Sequence, residues 1–263
     1  LALDGALEAR ERRPIWRGKG TLSRVIAKDD RAALPWALTS DLEVTSRQIL
    51  GKTLEFRYGA EDRPFTITGA ATIDLQGEPR FDAVLSARQI DLDRTLGKGP
   101  GAPVDLPGAL NALAASLSGL PVPPIAGHVG FDIPGIVVGG NILSDLRLDV
   151  GTAADGWSVD TLSAVLPGQT QLAAQGKVTI RPTLDFTGDV ALSVPQPATL
   201  LSWWMPDRPK TALDPFEAKG KLDASPAGFV LSNLAAKLKD GKLAGDVEFT
   251  PGRPKLNPRL TLA

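Results

Sequence analysis

The sequence contains no cysteine, which excludes disulfides and thiolate metal sites outright. It contains one histidine, His128, so any Ser-His-Asp triad or imidazole metal centre would have to pass through that residue. His128 stands between glycines in AGHVGFDI, with no cluster of ligating residues beside it, and reads as an exposed or capping residue. No Ser lies in a Gly-x-Ser-x-Gly elbow and no Ser-x-x-Lys occurs, which leaves hydrolase nucleophiles little support. Neither charge sign is in excess. Lys and Arg total 29 against 30 Asp and Glu, a formal net charge of −1, so no broad field recruits nucleic acid or anionic lipid. Aromatics are 5 %, too few for a sugar-binding cleft walled by rings and paired carboxylates. No apolar run reaches the ~18 residues of a spanning helix. The richest stretch, from Ile133 to Leu143, is broken by Pro134, Gly135, Gly139 and Gly140. A leader of the charged-then-apolar kind is also missing. The chain opens in LALDGALEARERR and stops in LNPRLTLA, both alternating, and reads as a piece of a longer protein whose anchor lies outside it.

What the sequence has is alternation. Leu54, Phe56 and Tyr58 alternate with Glu55 and Arg57; Leu146, Leu148 and Val150 alternate with Arg147 and Asp149. Ile73 and Leu75, Ile90 and Leu92, and Val178 and Ile180 follow the same period of two. Successive strand side chains point to opposite faces, so each run has one apolar and one wet face. Antiparallel strands fit this pattern, whereas parallel strands read as unbroken apolar runs. The 27 Gly and 22 Pro fall largely between the runs. Asp155-Gly156, Pro167-Gly168 and Asp240-Gly241 are turn dipeptides. Helices are expected in two places. One is Asp105 to Leu117, with Leu110, Leu113 and Leu117 at helical spacing and Asp105 as cap. The other is Pro197 to Met205, opened by Pro197 and stopped by Pro206.

The chain also resembles itself. LEFRYGAEDRPFTITGAA, LSAVLPGQTQLAAQGKV and LAAKLKDGKLAGDV close on Gly69, Gly176 and Gly245, which are 107 and 69 residues apart. A second element follows a proline and aligns Ile15, Phe81, Phe186 and Leu256, at spacings of 66, 105 and 70. In a third, Trp157 and Phe229 each follow a glycine, 72 residues apart. These elements set units of nearly 70 residues, at 14–78, 79–181, 182–253 and a truncated 254–263, with a helical insertion near 105–118. Repeats of this kind need neighbours to bury a face that none buries alone.

Three short motifs carry chemical readings beside plainer ones. Asp91 and Asp93, in an Asp-Leu-Asp, could share a cation on one strand face; the plainer reading is the wet face of an amphipathic strand. GKGPGA at 97–102 lacks the Ser or Thr of a phosphate loop and reads as a linker. Trp203, Trp204 and Met205 read as a cap on the groove or an interfacial contact, since indole suits amphipathic boundaries.

FDAVLSARQIDLDRTL (81–96), DGWSVDTLSAVLPGQTQLAAQGKV (155–178) and PATLLSWW (197–204) resemble the AsmA family of Gram-negative envelope proteins across roughly residues 40 to 263. That resemblance implies an elongated, taco-like β-groove with an apolar interior, tethered to the inner membrane and facing the periplasm. It implies a role in outer-membrane and envelope assembly, through passage of phospholipid or another envelope lipid, with envelope-assembly proteins as partners. It supplies no catalytic residue, cofactor or metal.

The expected fold is therefore mainly β: an elongated antiparallel sheet curled into a groove from repeated hairpins, with one or two short helices. The expected function is that of a non-enzymatic scaffold without cofactor, metal or nucleic acid. Its groove lining is taken to be Phe56, Tyr58, Ile67, Phe81, Trp157, Val159, Leu162, Ala164, Val178, Ile180, Phe186, Phe229 and Leu243. A closed β-scaffold for adhesion or protein assembly without lipid, and a carbohydrate-active β-helix, are the alternatives.

Overall fold

The computed structural model describes residues 1–10, 13–24, 34–97, 103–117, 124–180, 183–206, 213–225, 227–250 and 259–262. The first strands, β1 (Ala2–Arg10), β2 (Arg13–Ser23), β3 (Trp36–Val44), β4 (Gln48–Tyr58), β5 (Phe65–Asp74) and β6 (Arg80–Ser86), form an antiparallel meander. A two-residue strand β7 (Ile90–Asp91) and helices α1 (Leu92–Leu96) and α2 (Leu106–Leu117) follow. The meander then resumes with β8 (Ala126–Val138), β9 (Asn141–Ala153), β10 (Gly156–Leu166), β11 (Thr170–Thr179) and β12 (Asp185–Val194). Helix α3 (Pro197–Trp204) leads into β13 (Phe216–Ser225), β14 (Gly228–Leu238), β15 (Gly241–Phe249) and β16 (Arg259–Leu262). Fifteen of these strands form one path from β1 to β16, open at both edges, with β7 attached to β8.

The register explains why alternation persists through the chain. One row of paired residues runs from Leu3 through Gly20, Ser40, Leu54, Gly69 and Leu85 to Phe131. It continues through Leu148, Leu162 and Ala174 to Val190 and Gly220. Strand spacing of ~4.8 Å makes the whole sheet roughly 65 Å across. A slip of one residue would turn a strand's apolar set outward, yet β4, β10 and β14 each carry a bulge. Two residues intervene between Gly51 and Leu54, between Val159 and Leu162, and between Leu231 and Leu234. Each bulge restores the apolar set to the same face.

Those bulges identify the repeat. Leu54, Leu162 and Leu234 each resume pairing after the bulge, and Trp157 and Phe229 each open the strand before it. Gly156 and Gly228 precede them with φ of 153° and 145°. A Cβ there would lie 2.2 Å from the Val178 and Phe249 carbonyl oxygens respectively. Glycine is thus required twice for the same reason, close passage of the next strand's backbone. Two alignments shift. Trp16, not Ile15, shares the row of Phe81, because Trp16 pairs with Val44 and faces the apolar side. Gly176 lies one apolar row away from Gly69 and Gly245, since Leu162 pairs with Ala174. Leu256 lies outside the described residues.

Other expectations are corrected in detail. Strand β8 runs parallel to both β6 and the short β7, because the long connection carrying α1 and α2 crosses back before β8 starts. The strand expected through Asp93 stops at Asp91, whose carboxylate accepts from the Arg94 N–H at 2.8 Å and caps α1. Gly156 and Gly241 are the first residues of strands, and the turn residues precede them. The two-residue β8–β9 turn, Gly139-Gly140, has both central residues left-handed, φ 63° and 71°. In α2 the buried residue is Ala109, 1 % exposed, whereas Leu110 is exposed; the side chains of Leu113 and Leu117 and the run 98–102 lie outside the description.

The densest packing lies where β4, β6, β8, β10 and β12 end. There the helices cover the apolar face. Trp36, Tyr58, Phe65, Ile67, Ile90, Leu92, Ile133, Val138 and Trp203 form the core, with Leu96, Leu106 and Leu200 packed against it.

Candidate functional site

The candidate site is the apolar face itself. All twelve aromatic residues that lie on strands point to it: Trp16, Trp36, Phe56, Tyr58, Phe65, Phe81, Phe131, Trp157, Phe186, Phe216, Phe229 and Phe249. The remaining two of the chain's aromatics are Trp203 and Trp204 of α3. Chance would divide strand aromatics between the faces. Their segregation means that one side of the sheet has been built to be kept from water.

The expected lining residues can be placed one by one. Phe56 pairs with Ile67, and Tyr58 with Phe65, under the helices. Phe81 reaches over Gly127, whose missing Cβ would lie 2.4 Å from the ring, and meets Trp157 edge-on at 6.5 Å. Trp157, Val178, Phe186, Ala224, Phe229 and Phe249 form one row. Val159 belongs to the next row, with Leu222, Leu231 and Val247. Leu162 lies in the long row described above, and Ala164 shares a row with Leu172, Leu192, Ala218, Ala236 and Leu243. Ile180 is buried just past the end of β11. Twelve of the thirteen thus occupy strand positions on one face. Trp16, Phe131, Leu222 and Phe249 belong to the same surface and were not anticipated. Apolar parity, applied after correcting for the bulges, would have found them.

Helix α3 shows how far the sheet curls. The Trp203 indole N–H donates to the Val138 carbonyl at 2.9 Å, at the end of β8. Trp204 stands 6.4 Å from Trp203 and 6.3 Å from Phe229, edge-on to both. Phe229 opens β14, six strand positions beyond β8, which in a flat sheet would be at least ~29 Å away. Two neighbouring indoles cannot span that distance, so the sheet bends until β14 approaches the helix. Met205 closes α3, its N–H bonded to the Leu201 carbonyl at 2.8 Å. Beyond α3, the rows through Val190 and Leu222 lie on half-buried positions that no second sheet covers among the described residues.

The polar face carries the ionic contacts. Arg17 bonds Glu43 at 3.1 Å and Glu8 at 2.8 Å, and Lys52 bonds Glu43 at 2.9 Å. Hydrogen bonds from Lys52 and then Arg17 hold the Glu43 carboxyl below the ordinary carboxylate range. The bond to Glu43 likewise raises the Arg17 guanidinium. His128 lies 3.5 Å from Asp160, both exposed. Asp93, the second carboxylate of the Asp-Leu-Asp, accepts N–H groups from Val104, Gly139 and Gly140 at 2.8 to 2.9 Å. It binds the chain's own backbone, and Asp91 caps a helix. Among the described residues no helix is long and apolar enough to cross a membrane.

Comparison with family models, curated proteins and solved structures finds no match to this chain.

Proposed function

We propose that the chain is a non-catalytic scaffold whose curled apolar face accommodates the acyl chains of phospholipid or another envelope lipid. The observation that carries this reading is the segregation of every strand aromatic onto one face of an open sheet. A single layer with such a face must hold something against it, because uncovered apolar area costs about 25 cal/mol per Å². An acyl chain is a fitting cover, each methylene removed from water contributing about 0.8 kcal/mol. The rows are made chiefly of Leu, Val, Ala, Gly and rings, with no charged residue in those traced above, which suits weak and uniform contact. In this reading the protein acts in the periplasm, tethered to the inner membrane by a segment outside this sequence, and serves outer-membrane assembly in the manner the AsmA resemblance implies.

The test uses the purified chain and a phospholipid with a fluorescent acyl tail. Blue-shifted, saturable emission is expected, together with phospholipid recovered from the purified protein by solvent extraction. A Val190→Glu, Leu222→Glu variant, with charges in two adjacent rows, should lose most of the signal while keeping its circular dichroism. Lipid-free protein combined with an unshifted probe would reject the reading in favour of a scaffold covered by protein.

A further inference from the structure

A cavity of about 1090 Å³ lies over strands β9 to β15, and the register places it on the polar face. Its walls are two consecutive polar-face rows. One runs from Ser163 through Ala173, Ala191, Lys219 and Ala235 to Ala244; the other begins at Val165 and ends at Lys242. The apolar-face row between them contributes the floor, and the next apolar rows, those of Leu162 and of Phe216, contribute nothing. A trough between two side-chain rows thus crosses seven strands, roughly 29 Å.

Its chemistry is uneven. Ala173, Ala191, Ala235 and Ala244 keep one side low. Arg147, Lys219, Lys237 and Lys242 contribute four positive charges against Asp145 and Glu217. Arg17, Lys52 and Lys221 all have carboxylate partners. Among the described residues, none of the four cations lining the trough forms an ion pair, although Glu217 stands opposite Lys237 in register. Lys237 and Lys242 also face each other directly across the β14–β15 hairpin. A like-charge cross-strand pair disfavours the empty hairpin and is relieved by an anion.

We propose that this trough docks an extended acidic segment of a partner protein, with its carboxylates against Lys219, Lys237 and Lys242. At ~3.4 Å per residue, about eight residues of extended chain span it. Ser163, Gln171 and Ser193 line it and make no side-chain hydrogen bond among the described residues. They can pair with peptide groups, whereas an acyl chain would bury them unpaired. A membrane surface is too broad to enter a lane only ~7 Å wide, the spacing of alternate residues along a strand. The proposal concerns the opposite face from the lipid reading and stands or falls without it.

The experiment is fluorescence anisotropy on the full 263-residue chain with a labelled peptide of alternating Glu and Ala, about ten residues long. A Lys-Ala peptide and phosphatidylglycerol vesicles are the comparisons. Saturable binding of the acidic peptide alone is expected. The triple variant Lys219→Glu, Lys237→Glu, Lys242→Glu should weaken it by at least ~10-fold. Ala191→Trp, which keeps every charge and fills the trough, should weaken it comparably. All four positions are exposed, so the variants should remain folded. Equal binding by the triple variant, indifference to Ala191→Trp, or charge-dependent binding of vesicles instead of peptide would each overturn the proposal.

Discussion

Asp93 holds together parts of the chain that are far apart in sequence. Its two carboxylate oxygens accept three backbone N–H groups, from Val104 beside α2 and from Gly139 and Gly140 in the β8–β9 turn. Charge-assisted bonds of this kind are the stronger ones. Asp93→Ala should therefore lower stability by about 2 kcal/mol, with Asp93→Asn losing less, as measured by urea unfolding. The sequence did not disclose this role. Alternation from Ile90 to Asp93 continues past the point where Asp91 caps a helix, and the N–H partners at Gly139 and Gly140 lie 46 and 47 residues on. The shared face of residues such as Phe56 and Tyr58 was legible because each could be judged by its immediate neighbours. Trp16 was displaced by one position because a proline anchor aligned Ile15, and alignment alone carries no information about faces.

At the scale of elements, Glu43 on β3 joins two neighbours at once, through Arg17 on β2 and Lys52 in the β4 bulge. Its carboxyl pKa is depressed in the folded protein. The unfolded chain then takes up the proton first, so the stabilisation is present at neutral pH and is lost as the pH falls through the folded-state value. Glu43→Gln should melt below the wild type at pH 7, and the gap should close on acidification toward pH 3, followed by thermal circular dichroism. Strands β10 and β14 were readable because both carry the same physical necessity: a glycine before the ring that opens the strand, then the bulge. Those bulges were not read directly. An extra residue in one strand is indistinguishable in sequence from a longer loop.

For the molecule as a whole, strands contact chiefly their neighbours in the sheet, so stability is close to one-dimensional. Opening should progress inward from β1 and β16. Hydrogen exchange followed by mass spectrometry should show those strands least protected, and β4, β5, β8 and β9, beside the helix-covered core, most protected. Uniform protection across all strands would contradict this. The sheet's openness was not legible beforehand, because alternating strands serve a sandwich equally well. The curl becomes apparent only once Trp203 and Trp204 touch β8 and β14 together.

The parallel junction of β6 with β8 has a geometric consequence. In an uninterrupted meander, β8 would start where β6 ends, and every later strand would run the other way. The β10–β11 turn, and α3 with it, would then fall at the opposite strand termini from α1. Because the crossover returns the chain to its starting side before β8, the three helices among the described residues gather at one border of the sheet. A molecule assembled from nearly interchangeable hairpins thereby acquires a handed top and bottom, set by one connection between residues 86 and 126.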